Sequence, residues 1–309
     1  MQFSRGSAHF KIMVEKNVMK VFTQTKKIIL RQRSFPLFFI LGFIVIVLEG
    51  NIYDTMAFTQ NSNNEILVFA AASLTEACTS LANQFEQSHP GTKIVFNFGG
   101  SQQLIQQLAN GAEADLYLPA SQKYMTLAIG QSLVDSQSVK IFCHNRLVVI
   151  LPKENPGNIH NLQDLAKPNL KIILAQKEVP AGQYALDFLD KCSSHTEFGE
   201  PFKQNVLINV VSYEENVKAV VGKIKLGEAD AGIVYRSDVS TDSMHHLQTI
   251  DVPDSMNVIA SYPVGTVHGL HHGKPAGEFL QFLLSHDGQS ILAKFGFEPV
   301  TENDLKDRR

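Results

Sequence analysis

Charge is in short supply in this sequence. Of 309 residues, 18% are Asp, Glu, Lys or Arg, against 44% hydrophobic, and no long block of one sign occurs. That balance excludes a disordered or collagen-like chain and leaves ample apolar material for one large or two ordinary domains. Cysteine is scarce too. Cys78, Cys143 and Cys192 form an odd set without short spacings, which supplies neither a zinc motif nor a disulfide framework. Cys78 falls at a helix-core spacing and reads as a small buried hydrophobe. Enzyme signatures are also missing. There is no P-loop, no G-x-G-x-x-G, no G-x-S-x-G elbow, and no Ser/His/Asp set at motif-like spacing, so an enzyme is not the expected class.

The longest apolar run, residues 36–48 (PLFFILGFIVIVL), falls short of the roughly 20 residues that a membrane-spanning helix needs. A basic flank precedes it, with Lys11, Lys16, Lys20, Lys26, Lys27, Arg31 and Arg33. Basic flank and short apolar core together are the pattern of a secretory signal. Residues 1–57 are therefore expected to be a signal peptide, cut after Ala57, or an uncleaved N-terminal anchor. The flank is long, which makes Met13 or Met19 alternative starts. Either way the remainder is expected outside the cytoplasm, in the periplasm or its equivalent. No Cys follows the run, so nothing there points to lipid attachment. Residues 1–57 carry eight of the 27 Lys and Arg and three of the 30 Asp and Glu, leaving 19 basic and 27 acidic residues, a net of −8. An acidic body argues against nucleic acid as a partner. Any anion it binds must be held by local dipoles.

Beyond residue 64 the chain alternates. Residues 65–70 (EILVFA) read as a buried strand, and Leu74, Ala77, Cys78, Leu81, Ala82 and Phe85 form a helical stripe. Strands are expected at 93–98, 116–118 and 146–151, with a short helix at 104–108, and the segments 171–175, 184–189, 206–211, 217–224 and 231–235 continue the alternation. The fold class this implies is α/β, with mainly parallel sheets covered on both faces by helices. An internal echo supports two similar lobes. Residues 111–117 (GAEADLY) and 227–233 (GEADAGI) each close a helix with Gly and enter a strand after Asp.

Chemistry is expected where helices start. A helix N-terminus presents unpaired N–H groups and a partial positive charge, which suits an anion. Ser73-Leu74-Thr75-Glu76 opens the first helix, with Ser73 and Glu76 spaced as a capping box. Gly99-Gly100-Ser101 opens a second, Pro180-Ala181-Gly182 a third and Tyr213-Glu214-Glu215-Asn216-Val217 a fourth. Taken singly, Ser73 and Ser101 are more ordinary as helix caps than as ligand contacts. All four turns, however, follow strand ends, where parallel α/β sheets collect ligands. No Lys or Arg occupies residues 70–76, 98–103 or 179–183. A fully deprotonated oxyanion needs only donors, which hydroxyls and backbone N–H supply. A protonated phosphate would also need an acceptor, for which Glu214 or Glu215 are the candidates. The pattern favours molybdate, tungstate or sulfate.

The segments 66–75 (ILVFAAASLT), 98–101 (FGGS), 114–121 (ADLYLPAS), 179–185 (VPAGQYA), 232–238 (GIVYRSD) and 295–297 (FGF) resemble the periplasmic molybdate-binding proteins of bacterial ABC importers. The likeness spans about residues 65–299. It implies a type II periplasmic binding protein fold with a ligand cleft between two lobes. It also implies a site built from the Ser73 and Ser101 hydroxyls, the Ala181 and Val217 N–H groups and the Tyr235 hydroxyl. The implied function is capture of molybdate or tungstate and delivery to a membrane permease, by a monomer that needs no cofactor. The alternative is an importer protein for sulfate or another small solute. Related proteins often carry Ser or Ala where Gly99 and Gly100 stand here. By the same resemblance, residues 65–143 plus 259–302 form lobe one and 144–258 lobe two. The histidines His245, His246, His268, His271 and His272 lie on polar, Gly-rich sequence and read as solvated loops rather than a metal site.

Overall fold

The computed structural model describes residues 65–239, 245–269 and 273–300, within one compact unit, Asn63–Arg309. The expected export segment at 1–57, His271, His272 and the end of the first lobe at 302 lie outside the described residues.

The first strand, β1 (Glu65–Ala71), is buried along nearly its whole length, which is why its sequence is a continuous apolar run. A 3₁₀ turn (Ala72–Leu74) leads into α1 (Thr75–Ser88), which buries Ala77, Cys78, Leu81, Ala82 and Phe85 on one face. There follow β2 (Lys93–Gly99), α2 (Ser101–Ala109), β3 (Leu116–Leu118), α3 (Gln122–Gly130) and β4 (Lys140–Asn145). Next come β5 (Leu147–Pro152), β6 (Ile172–Ala175), α4 (Pro180–Ser193), α5 (Phe202–Ile208), β7 (Val210–Glu214), α6 (Val217–Lys225), β8 (Ala231–Tyr235) and β9 (Leu247–Asp251). The chain closes with β10 (Ala260–Thr266), α7 (Gly273–Leu284) and α8 (His286–Lys294).

The strands form two five-stranded sheets, ordered β2-β1-β3-β10-β4 and β7-β6-β8-β5-β9. In each, three strands run parallel and a reversed fourth joins them to the fifth. The sheets thus share one plan, with β3 and β8 in equivalent places. The two copies of the Gly-to-Asp echo precede those two strands. Gly111 and Gly227 both sit at positive φ, 88° and 71°, ending their helices in the left-handed conformation that glycine adopts freely. Asp115 then accepts the Leu67 N–H through Oδ2 at 2.7 Å and donates its own N–H to Leu67 O. Asp230 repeats both bonds with Lys171. The aspartate therefore ties each strand to its neighbour.

The chain passes from the first sheet to the second through Arg146 alone, between β4 and β5. Arg146 is pinned there by Glu298 and Asp254. The return runs from Asp251 to Ala260, where buried Asn257 exchanges hydrogen bonds with Leu147 N and O at 3.0 Å. Helices α7 and α8 return to the first sheet, where Phe279 meets Phe85 edge-on at 5.2 Å. All three cysteines are buried free thiols.

Three expectations need correction. The apolar stretch 206–211 is the end of α5 and the start of β7, divided at Asn209. The Asn209 side chain donates to Leu165 O and Lys167 O. The strand expected from 146 begins at Leu147. Ser73 and Glu76 form no capping box. Ser73 lies inside the 3₁₀ turn, and α1 starts without a side-chain cap.

Candidate oxyanion-binding site

Four strand-to-helix turns, two from each sheet, meet at one small cavity. The 3₁₀ turn after β1 brings Ser73, the start of α2 brings Ser101, α4 brings Ala181, and α6 brings Val217. Tyr235, the last residue of β8, forms part of the wall. The five residues expected from the sequence are therefore brought together. The cavity volume is about 10 Å³, the scale of a single water-sized sphere.

The local sequence explains how donors come to face it. Pro180 stands at the first position of α4, where its fixed φ suits a helix start and its missing N–H costs nothing. The next N–H, at Ala181, belongs to the first turn and has no acceptor within the helix. Asn216 caps α6 by accepting the Ala219 N–H at 3.0 Å, which leaves the Val217 N–H directed outward from the helix start. Gly182 packs the α4 start directly onto the end of β6. A Cβ there would lie 2.1 Å from Gln176 O and 2.4 Å from Ala175 O.

The hydroxyls are held from behind. Ser101 Oγ accepts the Ala120 N–H at 3.0 Å, and the Tyr117 hydroxyl donates to Ser101 O at 3.1 Å. Accepting from Ala120 leaves the Ser101 proton free to point into the cavity. Ser73 Oγ lies 2.9 Å from the buried Tyr262 hydroxyl, and Tyr262 is in turn 3.4 Å from the Asn145 side-chain nitrogen. Tyr235 is 1% exposed, and among the described residues its hydroxyl meets no partner at hydrogen-bonding geometry. Burial pushes the Tyr235 and Tyr262 phenols well above the usual tyrosine range, so both remain protonated donors at neutral pH.

Among the described residues no Lys, Arg, carboxylate or imidazole lines the cavity. Next to the cavity-lining Val217, Lys218 forms a charged bridge between elements of the two sheets. Lys218 Nζ lies 2.7 Å from Glu76 Oε2 and 3.3 Å from Asp238 Oδ1. Burial works to lower the Lys218 pKa, but Asp238 and Glu76 outweigh it and hold the ammonium above its ordinary value. Burial raises Asp238, with Lys218 and the Tyr235 N–H opposing. Further links cross the same gap. Gln102 and Gln103 donate to Glu215 O and Oε2 at 2.8 and 3.0 Å, and the Tyr124 hydroxyl donates to Glu178 O. Gly100 is required at this meeting, since a Cβ would sit 2.7 Å from Glu215 O.

Sequence reasoning missed Tyr262, Asn145, Lys218 and Asp238 as neighbours of the site. None carries a local signal, because each is defined by a partner far along the chain. His245, His246 and His268 are exposed. Among the described residues no group of three His, Cys, Asp or Glu could hold a metal.

Residues 66–298 match the family described as bacterial extracellular solute-binding protein. The chain is 30% identical over 232 residues to the molybdate-binding protein ModA of Mycobacterium tuberculosis (strain ATCC 25618 / H37Rv), covering 75% of this chain and 84% of that one. It is also 30% identical over 242 residues to the Escherichia coli (strain K12) molybdate-binding protein ModA, covering 75% and 88%. The solved periplasmic molybdate-binding protein of Azotobacter vinelandii superposes with a TM-score of 0.66 at 18% identity, over 76% of this chain and all of that one. That likeness establishes the shared fold.

Proposed function

The chain belongs to the bacterial extracellular solute-binding proteins, and on that premise we propose that it captures molybdate or tungstate and delivers it to the membrane permease of an ABC importer. What carries this reading is the polarity of the cavity. Helix starts and hydroxyls face it, and among the described residues no carboxylate or imidazole lines it. Relatives at 30% identity that are named for molybdate binding support the choice of ligand.

In this reading the two sheet-centred halves act as lobes joined by a hinge at Arg146 and the 252–259 return. Ser73 and Ser101 hold the oxyanion from the first lobe. The N–H groups of Ala181 and Val217 and the hydroxyl of Tyr235 hold it from the second. Backbone donors are fixed in direction before the ligand arrives, so little reorganisation accompanies binding. Closure around the anion is driven by contacts that exist only when the lobes are together. The protein binds without turnover, acts as a monomer, needs no resident cofactor, and is exported by its N-terminal segment, which then leaves or stays as an anchor.

Calorimetric titration of the full chain with molybdate, tungstate, sulfate and phosphate tests the assignment. Tight binding of the first two alone supports it. Sulfate binding of equal strength moves the assignment to a general importer of oxyanions, and no binding to any of the four rejects an oxyanion ligand.

A further inference from the structure

We propose that Tyr262 is a specificity-determining residue: by donating to Ser73 it turns the Ser73 proton toward the cavity and excludes oxyanions that carry a proton of their own. This inference rests on the oxyanion reading above and names what selects within it.

Asn145 is fully buried. Its side-chain oxygen accepts the Arg146 N–H at 3.0 Å, which fixes which way round the amide lies. The two hydrogens of its nitrogen are then available to Ser237 Oγ at 2.8 Å and Tyr262 Oη at 3.4 Å. Tyr262, also fully buried, thus accepts from Asn145 and must place its own proton. Among the described residues the acceptor at hydrogen-bonding distance is Ser73 Oγ, 2.9 Å away. The opposite polarity, Ser73 donating to Tyr262, would strand a phenolic proton in a fully buried place, which folded proteins avoid.

With its oxygen engaged from behind, Ser73 offers the cavity a proton. Ser101 is held the same way by the Ala120 N–H. Both serines therefore meet the ligand as donors. An anion without protons, such as molybdate, tungstate or sulfate, accepts from both. Hydrogenphosphate or hydrogenarsenate would set its own O–H against a donor, and such a mismatch of buried polar groups is strongly discriminating.

Tyr262→Phe removes the hydroxyl and keeps the ring that packs edge-on against Tyr235, Phe142 and Phe297 at 5.9, 6.4 and 5.4 Å. The Ser73 hydroxyl then loses the donor that fixes its proton toward the cavity, so it can rotate and accept from a ligand. The variant is expected to lose about tenfold in molybdate and sulfate affinity while phosphate and arsenate gain or hold, so that the molybdate-to-phosphate ratio narrows by about tenfold or more. Calorimetry on the full chain with the four anions reads both numbers, and the melting temperature without ligand reports whether the variant is folded. Asn145→Ala, which leaves Tyr262 without its anchoring donor, should shift the ratio in the same direction. An equal loss for all four anions, or no change, would overturn the proposal while leaving the oxyanion assignment intact. A wild-type chain that binds none of them would overturn both.

Discussion

Replacing Tyr235 by Phe should weaken anion binding and leave the ligand-free chain folded. The Tyr235 hydroxyl is buried at the end of β8 beside the cavity, and its ring rests edge-on against Tyr184 at 6.4 Å and Tyr262 at 5.9 Å. Phe keeps the ring contacts, so the ligand-free variant should melt within roughly 2–4 °C of wild type, the span of about 1 kcal/mol for a unit of this size. Bound to an anion, the hydroxyl makes a charge-assisted bond of about 1.5–3 kcal/mol, and losing it weakens affinity about 10- to 100-fold. Scanning calorimetry with and without molybdate measures both effects. The variant should melt near wild type alone and gain less from ligand. A variant that gains as much from molybdate as wild type does would refute the role of this hydroxyl.

Gly182→Ala should cost about 2–3 kcal/mol of stability by overpacking, because its Cβ would press on Gln176 O at 2.1 Å. A urea titration measures the loss, and a wild-type midpoint would contradict the packing of α4 on β6. Glu76→Gln should speed anion release two- to fivefold, since the Glu76–Lys218 pair links the two halves but is partly exposed and screened. Stopped-flow competition should show the difference shrinking in high salt, and an unchanged release rate would remove this pair from the closed state. Stability should fall as pH rises above about 9. Burial pushes Cys192 and Tyr184 up to about 12, so the folded chain retains protons that the unfolded chain releases. Each such group then costs about 1.4 kcal/mol per pH unit between its unfolded and folded values. Melting temperatures that stay level from pH 8 to 11 would contradict the burial of these groups.

Alternation was legible in the sequence because strands buried on both faces read as apolar runs, and the stripe from Leu74 to Phe85 has helical spacing. The turns that hold Ser73, Ser101, Ala181 and Val217 were legible because each follows a strand and opens a helix, whereas the choice of contacts within them, and Tyr235 at the end of β8, came from the resemblance. Pairings across the sequence were not. Ser73 meets Tyr262 across 189 residues, and Glu76 meets Lys218 across 142. Nothing local separates Glu76 as an ion-pair partner from Glu76 in a capping box. Strand β10 was hidden for a different reason. Pro263 interrupts its pattern, and the structure accommodates it with a register shift at Tyr262/Pro263, as strands accommodate proline elsewhere. Asn209 divides helix from strand inside an apolar stretch, and its role depends on the carbonyls of Leu165 and Lys167.

The central claim is that one oxyanion sits among Ser73, Ser101, Ala181, Val217 and Tyr235. Crystals of the full chain grown with tungstate, measured near the tungsten absorption edge, would locate the metal atom directly by anomalous scattering. A single strong peak is expected within hydrogen-bonding reach, through its oxygens, of those five residues. A peak elsewhere on the protein, with this cavity empty, would contradict it.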